Sequence, residues 1–273
     1  MKDFTGRVAV ITGGASGIGL ALARGLTARG CHVALADIDK ARLDAAADAL
    51  GGRGVRVSTH VVDVSDHAQV CRLRDEALAA HGAVHLVFNN AGVTMYGAFE
   101  QFTMEQIQRI MGINVMGVIH GCHVFLPVLR EQREAHIVNM ASMAAISGMP
   151  RQSTYCASKA AVRALSESLS AELAGSPIGV TWMLAGPIGT EIVSRATSHD
   201  AAITAKLGSL LQQYAMSPDR AAARILRAVE RGERELRITM ECEGYHQLNR
   251  LAPGTLRASM RALNRVATRF ERS

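Results

Sequence analysis

The chain is poor in aromatic residues, which make up 4% of its 273 positions, and it contains six prolines. Its hydrophobic content is nevertheless 48%, so we expect a core built mainly from Ala, Val, Leu, Ile and Met. A surface of basic side chains with interleaved aromatic residues, as proteins that bind single-stranded nucleic acid use, is missing. Nucleic acid is therefore not an expected partner, despite a formal net charge of +6.

Long apolar runs and clustered cysteines are also missing. No apolar run reaches the roughly 18 residues that a membrane-spanning helix requires. The N-terminal residues 1–6 lead directly into an apolar segment and leave no room for a signal peptide. The cysteines are odd in number and widely scattered, at Cys31, Cys71, Cys122, Cys156 and Cys242. This pattern predicts a cytoplasmic protein with reduced thiols, without disulfides and without a metal site.

The first recognisable motif is a glycine-rich turn. Residues 7–12 are rich in β-branched side chains and predict a short buried strand, and a helical pattern through Leu20, Leu22 and Leu26 follows the turn. In this arrangement the backbone can approach a pyrophosphate, and the helix N-terminus supplies N–H donors. The sequence therefore predicts a dinucleotide-binding turn formed by Gly13, Ala15, Ser16, Gly17, Ile18 and Gly19.

A second predicted strand, residues 32–37, ends in the acid Asp37, 18 residues after Gly19. At this position a carboxylate accepts hydrogen bonds from the ribose hydroxyls of adenosine, and it would repel a 2′-phosphate. Neither the glycine turn nor the next positions, Ile38 and Asp39, supply an Arg or Lys to receive that phosphate. We therefore expect NAD rather than NADP, in contact with Asp37 and Ile38.

A candidate proton-transfer site lies near the middle of the chain. Tyr155 and Lys159 are four residues apart, which places phenol and ammonium side by side on a helix face. A nearby cation favours the phenolate and would lower the tyrosine pKa toward neutral pH. Upstream, the Ser142 hydroxyl could hold a substrate oxygen beside Tyr155. Alone the Tyr–Lys pair is a weak signal, and the glycine turn is what favours the functional interpretation.

With these motifs in place, the chain resembles the short-chain dehydrogenase/reductase family over roughly residues 5 to 240. The resemblance implies that Asp63 and Val64 contact the adenine. It implies that the loop Asn89–Gly92 steadies the central sheet beside the cofactor through Asn90, Ala91 and Gly92. It further implies that Asn114 holds a relay water and completes a catalytic tetrad with Ser142, Tyr155 and Lys159.

The same resemblance identifies a nicotinamide loop formed by Gly186, Ile188 and Thr190. Here the chain departs from the family pattern, because Ala185 occupies the position where a proline usually precedes the glycine. Losing a proline frees the backbone of the unfolded chain and of the loop. We expect a slightly looser turn with the nicotinamide contact retained.

The order of patterns predicts an α/β fold, a Rossmann-like doubly wound parallel sheet of about seven strands flanked by helices. We expect one domain, residues 1–273, without an internal repeat. Predicted helices begin near Gly17, Asp39, Asp66, Thr103, Thr154 and Pro218, and a long helix through 114–129 pairs with the one that carries Tyr155. The predicted strands are 7–12, 32–37, 55–61, 84–89, 135–140, 178–184 and 235–239.

Two segments fall outside this scaffold. Residues 191–216 lie between the nicotinamide loop and the last core helix, a position that suits a lid over the substrate. Residues 241–273 form a helical extension in which arginines interleave with Leu251, Leu256, Met260, Leu263, Val266 and Phe270. This basic amphipathic helix could pack on its own domain, on a second subunit or on an anionic membrane. We expect packing on protein, and a homodimer or homotetramer.

The residues expected to line the substrate pocket are mostly apolar. They follow the Asn–Asn–Ala–Gly loop (Thr94, Met95 and Tyr96) and Ser142 (Met143 and Ala144), with Met149 further on. The methionines could equally be core residues. Relatives with a similarly long C-terminal extension act on bulky lipophilic carbonyls or alcohols, so we expect Met95, Ser142, Ala144 and Met149 to contact a lipophilic substrate.

Together these features predict an NAD-dependent oxidoreductase that interconverts a secondary alcohol and a ketone. Two alternatives stay open. The family contains epimerases, dehydratases and lyases that use the same Tyr–Lys pair, and product analysis would separate them from a dehydrogenase. It also contains nucleotide-sensing regulators, which typically lose the tyrosine or the lysine, whereas this chain keeps Tyr155 and Lys159.

Overall fold

In the computed structural model, which describes residues 1–52, 54–198 and 214–270, the strands form two parallel sheets. The strands are β1 (Val8–Thr12), β2 (His32–Asp37), β3 (Val57–Val61), β4 (Leu86–Asn89), β5 (Met95–Tyr96), β6 (Ala135–Met140), β7 (Ile178–Leu184), β8 (Thr197–Ser198) and β9 (Glu235–Arg237). The larger sheet has the order β3-β2-β1-β4-β6-β7-β9. The seven predicted strands are confirmed, three with the predicted bounds and four shorter by one or two residues.

The strand order reverses at β1, which pairs with β2 on one side and with β4 on the other. All five residues of β1 are buried, as are all six of β6, as expected for parallel strands covered by helices on both faces. In such sheets, ligands bind at the carboxyl ends of the strands beside the reversal. The residues that follow β1 and β4 are the glycine turn and the loop 89–92, so both predicted cofactor motifs lie at this point.

Helices cover both faces of the sheet. They are α1 (Gly17–Thr27), α2 (Lys40–Leu50), α3 (His67–His81), α4 (Met104–Met111), α5 (Gly117–Arg130), α6 (Ser153–Glu172), α7 (Pro218–Arg231), α8 (Met240–Leu251) and α9 (Pro253–Phe270). One buried cluster joins α1, α2 and α7 to the sheet, and a second joins α3, α5 and α6. This arrangement confirms the doubly wound fold.

The predicted helix starts are confirmed to within one residue, and capping side chains explain most of them. Asp39, Asp66 and Thr103 accept hydrogen bonds from backbone N–H groups in the first turns of α2, α3 and α4. Ser217 caps α7 in the same way, with Pro218 at its first position. These side chains occupy the position just before each apolar run, where a cap is expected.

Between α4 and α5 the chain forms a π-helical turn, Gly112–Met116, so that 104–130 is one continuous helical stretch. By length and composition this stretch could cross a membrane, with a mean hydropathy of 1.5. Length and composition alone are weak evidence for a membrane span, so the expectation of no membrane-spanning segment is not overturned. Inside the protein, 56% of the most apolar window is buried, as for the core helix of a globular domain.

The predicted lid, residues 191–216, is described at its two ends, whereas 199–213 lie outside the described residues. At one end, β8 pairs in parallel with β5, Thr197 beside Met95 and Ser198 beside Tyr96. At the other end, Met216 forms a β-bridge with Ile188 in the nicotinamide loop. Both ends of the segment are thus joined to residues predicted to contact substrate or cofactor.

The C-terminal extension forms two helices, α8 and α9, up to Phe270, and 271–273 lie outside the described residues. Leu256 in α9 is buried and Met260 is half-buried. By contrast, Leu251 is 78% exposed and Leu263 is 56% exposed. Packing on the chain's own domain therefore accounts for only part of the predicted apolar stripe.

Candidate active site

The glycine turn adopts a conformation that other residues rarely tolerate. Gly13 and Gly17 have φ angles of 62° and 51°. A Cβ atom at Gly19 would lie 2.1 Å from the carbonyl oxygen of Gly13, closer than any van der Waals contact. The three glycines are therefore required by the close approach of the turn to the start of α1.

The N-terminus of α1 is open toward this turn. Ser16, the residue before the helix, is extended and makes no side-chain capping hydrogen bond. First-turn N–H groups without a capping side chain, at the positive end of a helix, form a binding site for an anion. The side chain of Ile18 packs against the core instead. The turn and the helix end together fit the pyrophosphate of a dinucleotide.

The turn is held against the loop after β4 by a residue that the sequence analysis did not select. The buried Thr12 Oγ1 accepts hydrogen bonds from the backbone N–H groups of Asn90 and Ala91, both at 3.0 Å. In return, Asn90 Nδ2 donates to the carbonyl oxygens of Thr12 and Gly13 at 2.9 and 3.1 Å. A threonine at the end of the first strand was the available signal for this contact.

Asp37 lies at the carboxyl end of β2, facing the glycine turn. Its carboxylate accepts hydrogen bonds from the N–H groups of Ala15 and Asp39, both at 3.2 Å. The neighbouring Ile38 is 69% exposed. The fold also brings Arg42 close enough that the charges of Asp39 and Asp37 help to raise the pKa of its guanidinium, after Glu191. The sequence analysis considered only the positions adjacent to Asp37 and missed this cation.

Arg42 forms ion pairs with two carboxylates, one near Asp37 and one after the nicotinamide loop. Its Nη1 lies 2.8 Å from Glu191 Oε2, directly after the nicotinamide loop, and its Nε lies 3.3 Å from Asp39 Oδ2. Hydrogen bonding to Arg42, followed by the charges of Arg195 and Arg42, holds the pKa of Glu191 below its usual range. The guanidinium is therefore already paired with two carboxylates.

The pair predicted to contact the adenine lies at the end of β3. The Asp63 carboxylate accepts hydrogen bonds from both the backbone N–H and the hydroxyl of Ser65, at 2.9 and 2.7 Å. Val64 is buried, and its carbonyl oxygen lies 2.9 Å from His120 Nδ1. These contacts fix the backbone of the loop that borders the predicted adenine site.

Asn114 is fully buried in the π-helical turn, a feature that often marks functional positions. Its amide exchanges two hydrogen bonds of 2.9 Å with the backbone of Val93. Its Nδ2 also donates to the Ser158 hydroxyl at 3.0 Å, which donates in turn to the carbonyl oxygen of Tyr155 at 2.8 Å. Ser158, which the sequence analysis did not select, links Asn114 to the helix of Tyr155.

Ser142, Tyr155 and Lys159 come together as predicted. Burial raises the pKa of Tyr155, while a hydrogen bond with the Ser142 side chain acts in the opposite direction. Lys159 Nζ lies 5.9 Å from the centroid of the Tyr155 ring and donates a hydrogen bond of 2.7 Å to the carbonyl oxygen of Met140. Burial lowers the pKa of Lys159 to about 8. The expected lowering of the Tyr155 pKa is not found, because burial is the largest effect on that pKa and raises it.

The nicotinamide loop packs onto the glycine turn. A Cβ atom at Gly17 would lie 3.1 Å from Thr190 Cγ2, so the two segments are in close contact. Gly186 donates its N–H to Thr239 Oγ1 at 3.1 Å, and Ile188 packs against the core. Gly92, in the loop after β4, faces Lys159, whose Nζ would lie 3.5 Å from a Cβ there. The glycine turn and the nicotinamide loop are thus in contact with each other, and the loop after β4 contacts Lys159.

The predicted pocket residues differ in exposure. Met95 and Ala144 are almost fully buried, whereas Met149 is half-buried and donates its backbone N–H to Cys156 Sγ at 3.3 Å. Asn249 of α8 donates a hydrogen bond of 3.4 Å to the carbonyl oxygen of Ile146. Burial raises the pKa of Tyr245, also on α8, and the nearby Ser147 side chain opposes that rise. The sequence analysis did not connect α8 with the loop after Ser142.

Comparison with known proteins gives a consistent result. The family model described as short chain dehydrogenase matches residues 7–201. SadH of Mycobacterium tuberculosis is 33% identical over 255 residues, which cover 92% of this chain and 92% of SadH. The C alpha-dehydrogenase of a Sphingobium species is 32% identical over 242 residues, covering 84% of this chain and 79% of that protein.

Among solved structures, a protein from Burkholderia phymatum is similar over nearly the whole chain. It is described as a short chain dehydrogenase/reductase in complex with NAD. The TM-score is 0.86 at 33% sequence identity, and the match covers 92% of this chain and 95% of that one. The similarity extends from the sequence to the arrangement of the sheet and its helices.

Proposed function

The chain belongs to the short-chain dehydrogenase/reductase family, and we propose that it is an NAD-dependent oxidoreductase that interconverts a secondary alcohol and a ketone. The observation that carries the proposal is the meeting of Ser142, Tyr155 and Lys159 beside Gly92, in the loop that also contacts the glycine turn. NAD, when bound, supplies the hydride acceptor for oxidation of the alcohol. The protein residues must then bind the substrate and move one proton.

Tyr155 is the group that takes the hydroxyl proton during oxidation and returns it during reduction. The Ser142 side chain lies close enough to the Tyr155 hydroxyl to oppose the rise in its pKa, so a substrate oxygen can contact both hydroxyl groups. The phenolate is needed for oxidation, but burial disfavours it in the free protein. A nearby positive charge is therefore required when substrate binds, and Lys159 is the cation beside the Tyr155 ring.

Asn114 has a positioning role in this proposal. Its side chain holds the backbone at Val93 and, through Ser158, the start of the helix that carries Tyr155. A proton leaving Tyr155 can travel past Lys159 toward Asn114 and solvent. The wide π-helical turn supports this role, because it directs a fully buried amide into the gap between α5 and α6.

NAD is the proposed cofactor. The glycine turn and the uncapped end of α1 would hold its pyrophosphate, and Asp37 would accept hydrogen bonds from the ribose of its adenosine. The Burkholderia phymatum relative in complex with NAD supports this choice by analogy. Arg42 is the residue that argues for NADP, but its guanidinium is already paired with Glu191 and Asp39.

The proposed substrate is lipophilic. The support is the apolar character of Met95, Ala144 and Met149, of which Ala144 donates its backbone N–H to Ser142 Oγ at 3.2 Å. The proposed lid, 191–216, follows the nicotinamide loop, and its residues Thr197 and Ser198 pair with β5. We expect the enzyme to act in the cytoplasm, where its five free cysteines would stay reduced, and as a homodimer or homotetramer.

The proposal is tested by adding NAD to the purified protein with a panel of secondary alcohols of increasing apolar size and following NADH absorbance. Identification of the ketone product separates oxidation from epimerisation, dehydration or lyase chemistry. Tyr155→Phe should keep the fold and NAD binding while lowering kcat by roughly 10²-fold or more. Turnover by Tyr155→Phe within a few-fold of wild type would exclude the proposed proton transfer.

A further inference from the structure

One face of α7 carries a row of arginines that the proposed reaction does not use. They occur three or four residues apart, so they lie on one side of the helix: Arg220, Arg224, Arg227 and Arg231. These side chains line a groove of about 380 Å³ beside the edge strand β9, with Met216 and Leu236 in its wall. None of the predicted catalytic or cofactor-binding residues lines this groove.

The acidic residues of α7 lie elsewhere. Asp219 pairs with Arg24 at 2.7 Å, and Glu230 pairs with Arg29 at 2.6 Å, so both carboxylates face the α1 side of the helix. The carboxylate in the groove wall is Glu233, which lies 3.5 Å from Arg231. The charges of α7 are thus separated between its two faces.

Arg220, Arg224 and Arg227 have no ion-pair partner among residues 1–52, 54–198 and 214–270. Arg224 donates to the carbonyl oxygen of Ile238, and Arg227 Nε donates to that of Ala223 at 3.2 Å. Neutral carbonyl groups do not cancel the charges. Like charges three or four residues apart repel and destabilise a helix. An anion in the groove would remove that repulsion and complete the hydrogen bonds of the guanidinium groups.

We propose that this groove binds a small anionic ligand that carries at least two phosphate groups. The planar guanidinium group matches the geometry of phosphate oxygens, and arginine cannot lose its charge at any physiological pH. From Arg220 to Arg231 the helix rises by roughly 16 Å. Charges spread over that length suit two or more separated phosphates better than one inorganic phosphate.

The experiment measures binding of sodium tripolyphosphate to the full-length protein by calorimetry at low ionic strength. Saturating NAD is present, so that the glycine turn is occupied. The groove variant is Arg220→Gln/Arg227→Gln, which keeps the hydrogen bond from Arg224 to the carbonyl oxygen of Ile238. The control variant is Arg72→Gln/Arg74→Gln on α3, which removes the same charge on the other face of the sheet. Thermal unfolding of both variants checks that they are folded.

We expect one site, weakened about tenfold or more by the groove variant and less than about twofold by the control. Absence of binding would overturn the proposal. Equal weakening by both variants would also overturn it, because the attraction would then follow net charge. Binding unchanged in both variants would likewise overturn it, because the anion would then occupy a site other than the groove. These readouts do not depend on catalysis, so they stay separate from a failure of the proposed function.

A second arm distinguishes a free phosphate ligand from a lipid headgroup. Co-sedimentation with vesicles of phosphatidylglycerol is measured for the wild type and the two variants. We expect the groove variant and the control to co-sediment to the same extent. Selective loss of vesicle binding in the groove variant, without binding of tripolyphosphate to the wild type, would contradict the proposal and indicate a membrane surface.

Discussion

The ammonium group of Lys159 donates a hydrogen bond of 2.7 Å to the carbonyl oxygen of Met140, at the end of β6. The lysine is nearly fully buried, and no carboxylate contributes to its pKa. A buried cation without a counter-ion costs stability. The protein tolerates this cost beside Tyr155, where the proposed reaction requires a positive charge.

This burial predicts a particular pH dependence of stability. The pKa of Lys159 falls from 10.5 to about 8 on folding, so between these values the unfolded chain binds more protons than the folded one. The contribution of Lys159 to the free energy of unfolding should therefore rise with pH across this window, by about 1 kcal/mol per pH unit. The buried thiols of Cys31, Cys122 and Cys242, whose pKa values are raised by burial, act in the opposite direction above about pH 9, so the comparison of wild type with a Lys159 variant isolates the lysine. Below about pH 8 the full penalty applies.

Lys159→Met should remove that rise, and chemical denaturation at pH 8, 9 and 10 measures it. The difference between wild type and variant should then grow in favour of the wild type as pH increases. Lys40→Met is the control, since the Lys40 side chain is 72% exposed and should leave the slope unchanged. The same slope in the wild type and Lys159→Met would show that Lys159 does not titrate in this range.

Cofactor choice is predicted to depend on Asp37. The wild type should bind NAD more tightly than NADP by a few kcal/mol, roughly 10²-fold, because the carboxylate repels a 2′-phosphate. Asp37→Ala should narrow this difference mainly by admitting NADP, as measured by fluorescence titration with both cofactors. Asp44→Ala, an exposed acid on α2, is the control for a loss of charge.

An Arg42→Ala variant tests the alternative, in which Arg42 binds the 2′-phosphate of NADP. If the wild type bound NADP as tightly as NAD, and Arg42→Ala removed that affinity, Arg42 would be the phosphate-binding residue and the NAD assignment would be wrong. If Arg42→Ala left the ratio of affinities unchanged, its role would be the ion pair with Glu191.

The glycine turn is predicted to have no space for a side chain at Gly19. Gly19→Ala should lower the free energy of unfolding by about 1–3 kcal/mol and weaken NAD binding about tenfold or more, because its Cβ would overlap the Gly13 carbonyl oxygen. Gly244→Ala on α8 is the matched control, since a Cβ there meets nothing within 4 Å. That change should stabilise the protein by about 0.5–1 kcal/mol. Thermal unfolding with and without NAD measures both effects.

The exposed leucines of the C-terminal extension are predicted to contact a second subunit. Leu251→Asp/Leu263→Asp should shift the protein to a smaller species in size-exclusion chromatography with light scattering, because it places charges on an apolar contact. Met240→Asp, at an 88% exposed position outside α9, should not. Truncation after Ala252 should have the same effect as the double variant. Salt-sensitive co-sedimentation with anionic vesicles, without any change of oligomer, would instead favour the membrane interpretation.

The sequence predicted the long elements well, and the physical reason lies in their patterns. Strands such as 135–140 and 178–184 are short, mainly apolar segments that are almost entirely buried. The side chains of Asp39, Asp66 and Thr103 cap the starts of helices α2, α3 and α4. The pair β5–β8 was missed because two-residue strands have no periodicity to detect.

The parts of the site that were not predicted depend on contacts between distant residues. Arg42 lies near Asp37 in the sequence, but its partner Glu191 is 149 positions away, so the sequence could not reveal that the Arg42 guanidinium is already paired. The hydrogen bond from the Gly186 N–H to Thr239 Oγ1 also joins residues that are far apart in the sequence, 53 positions in this case. The lowered pKa of Lys159 also follows from its depth in the fold and not from its spacing to Tyr155. The single-domain assignment and the lid stay predictions.

The π-helical turn at Gly112–Met116 has a consequence for how insertions and deletions act here. Each residue turns an α-helix by about 100°, and a π turn accommodates one residue more than an α turn. Deleting one residue from this turn would rewind it to a regular helix and rotate everything before it relative to α5. Either Asn114 would lose its hydrogen bond to Ser158, or the buried Ile110 of α4 would lose its packing against the domain. The extra residue therefore determines the rotation of α4 about the helix axis relative to α5.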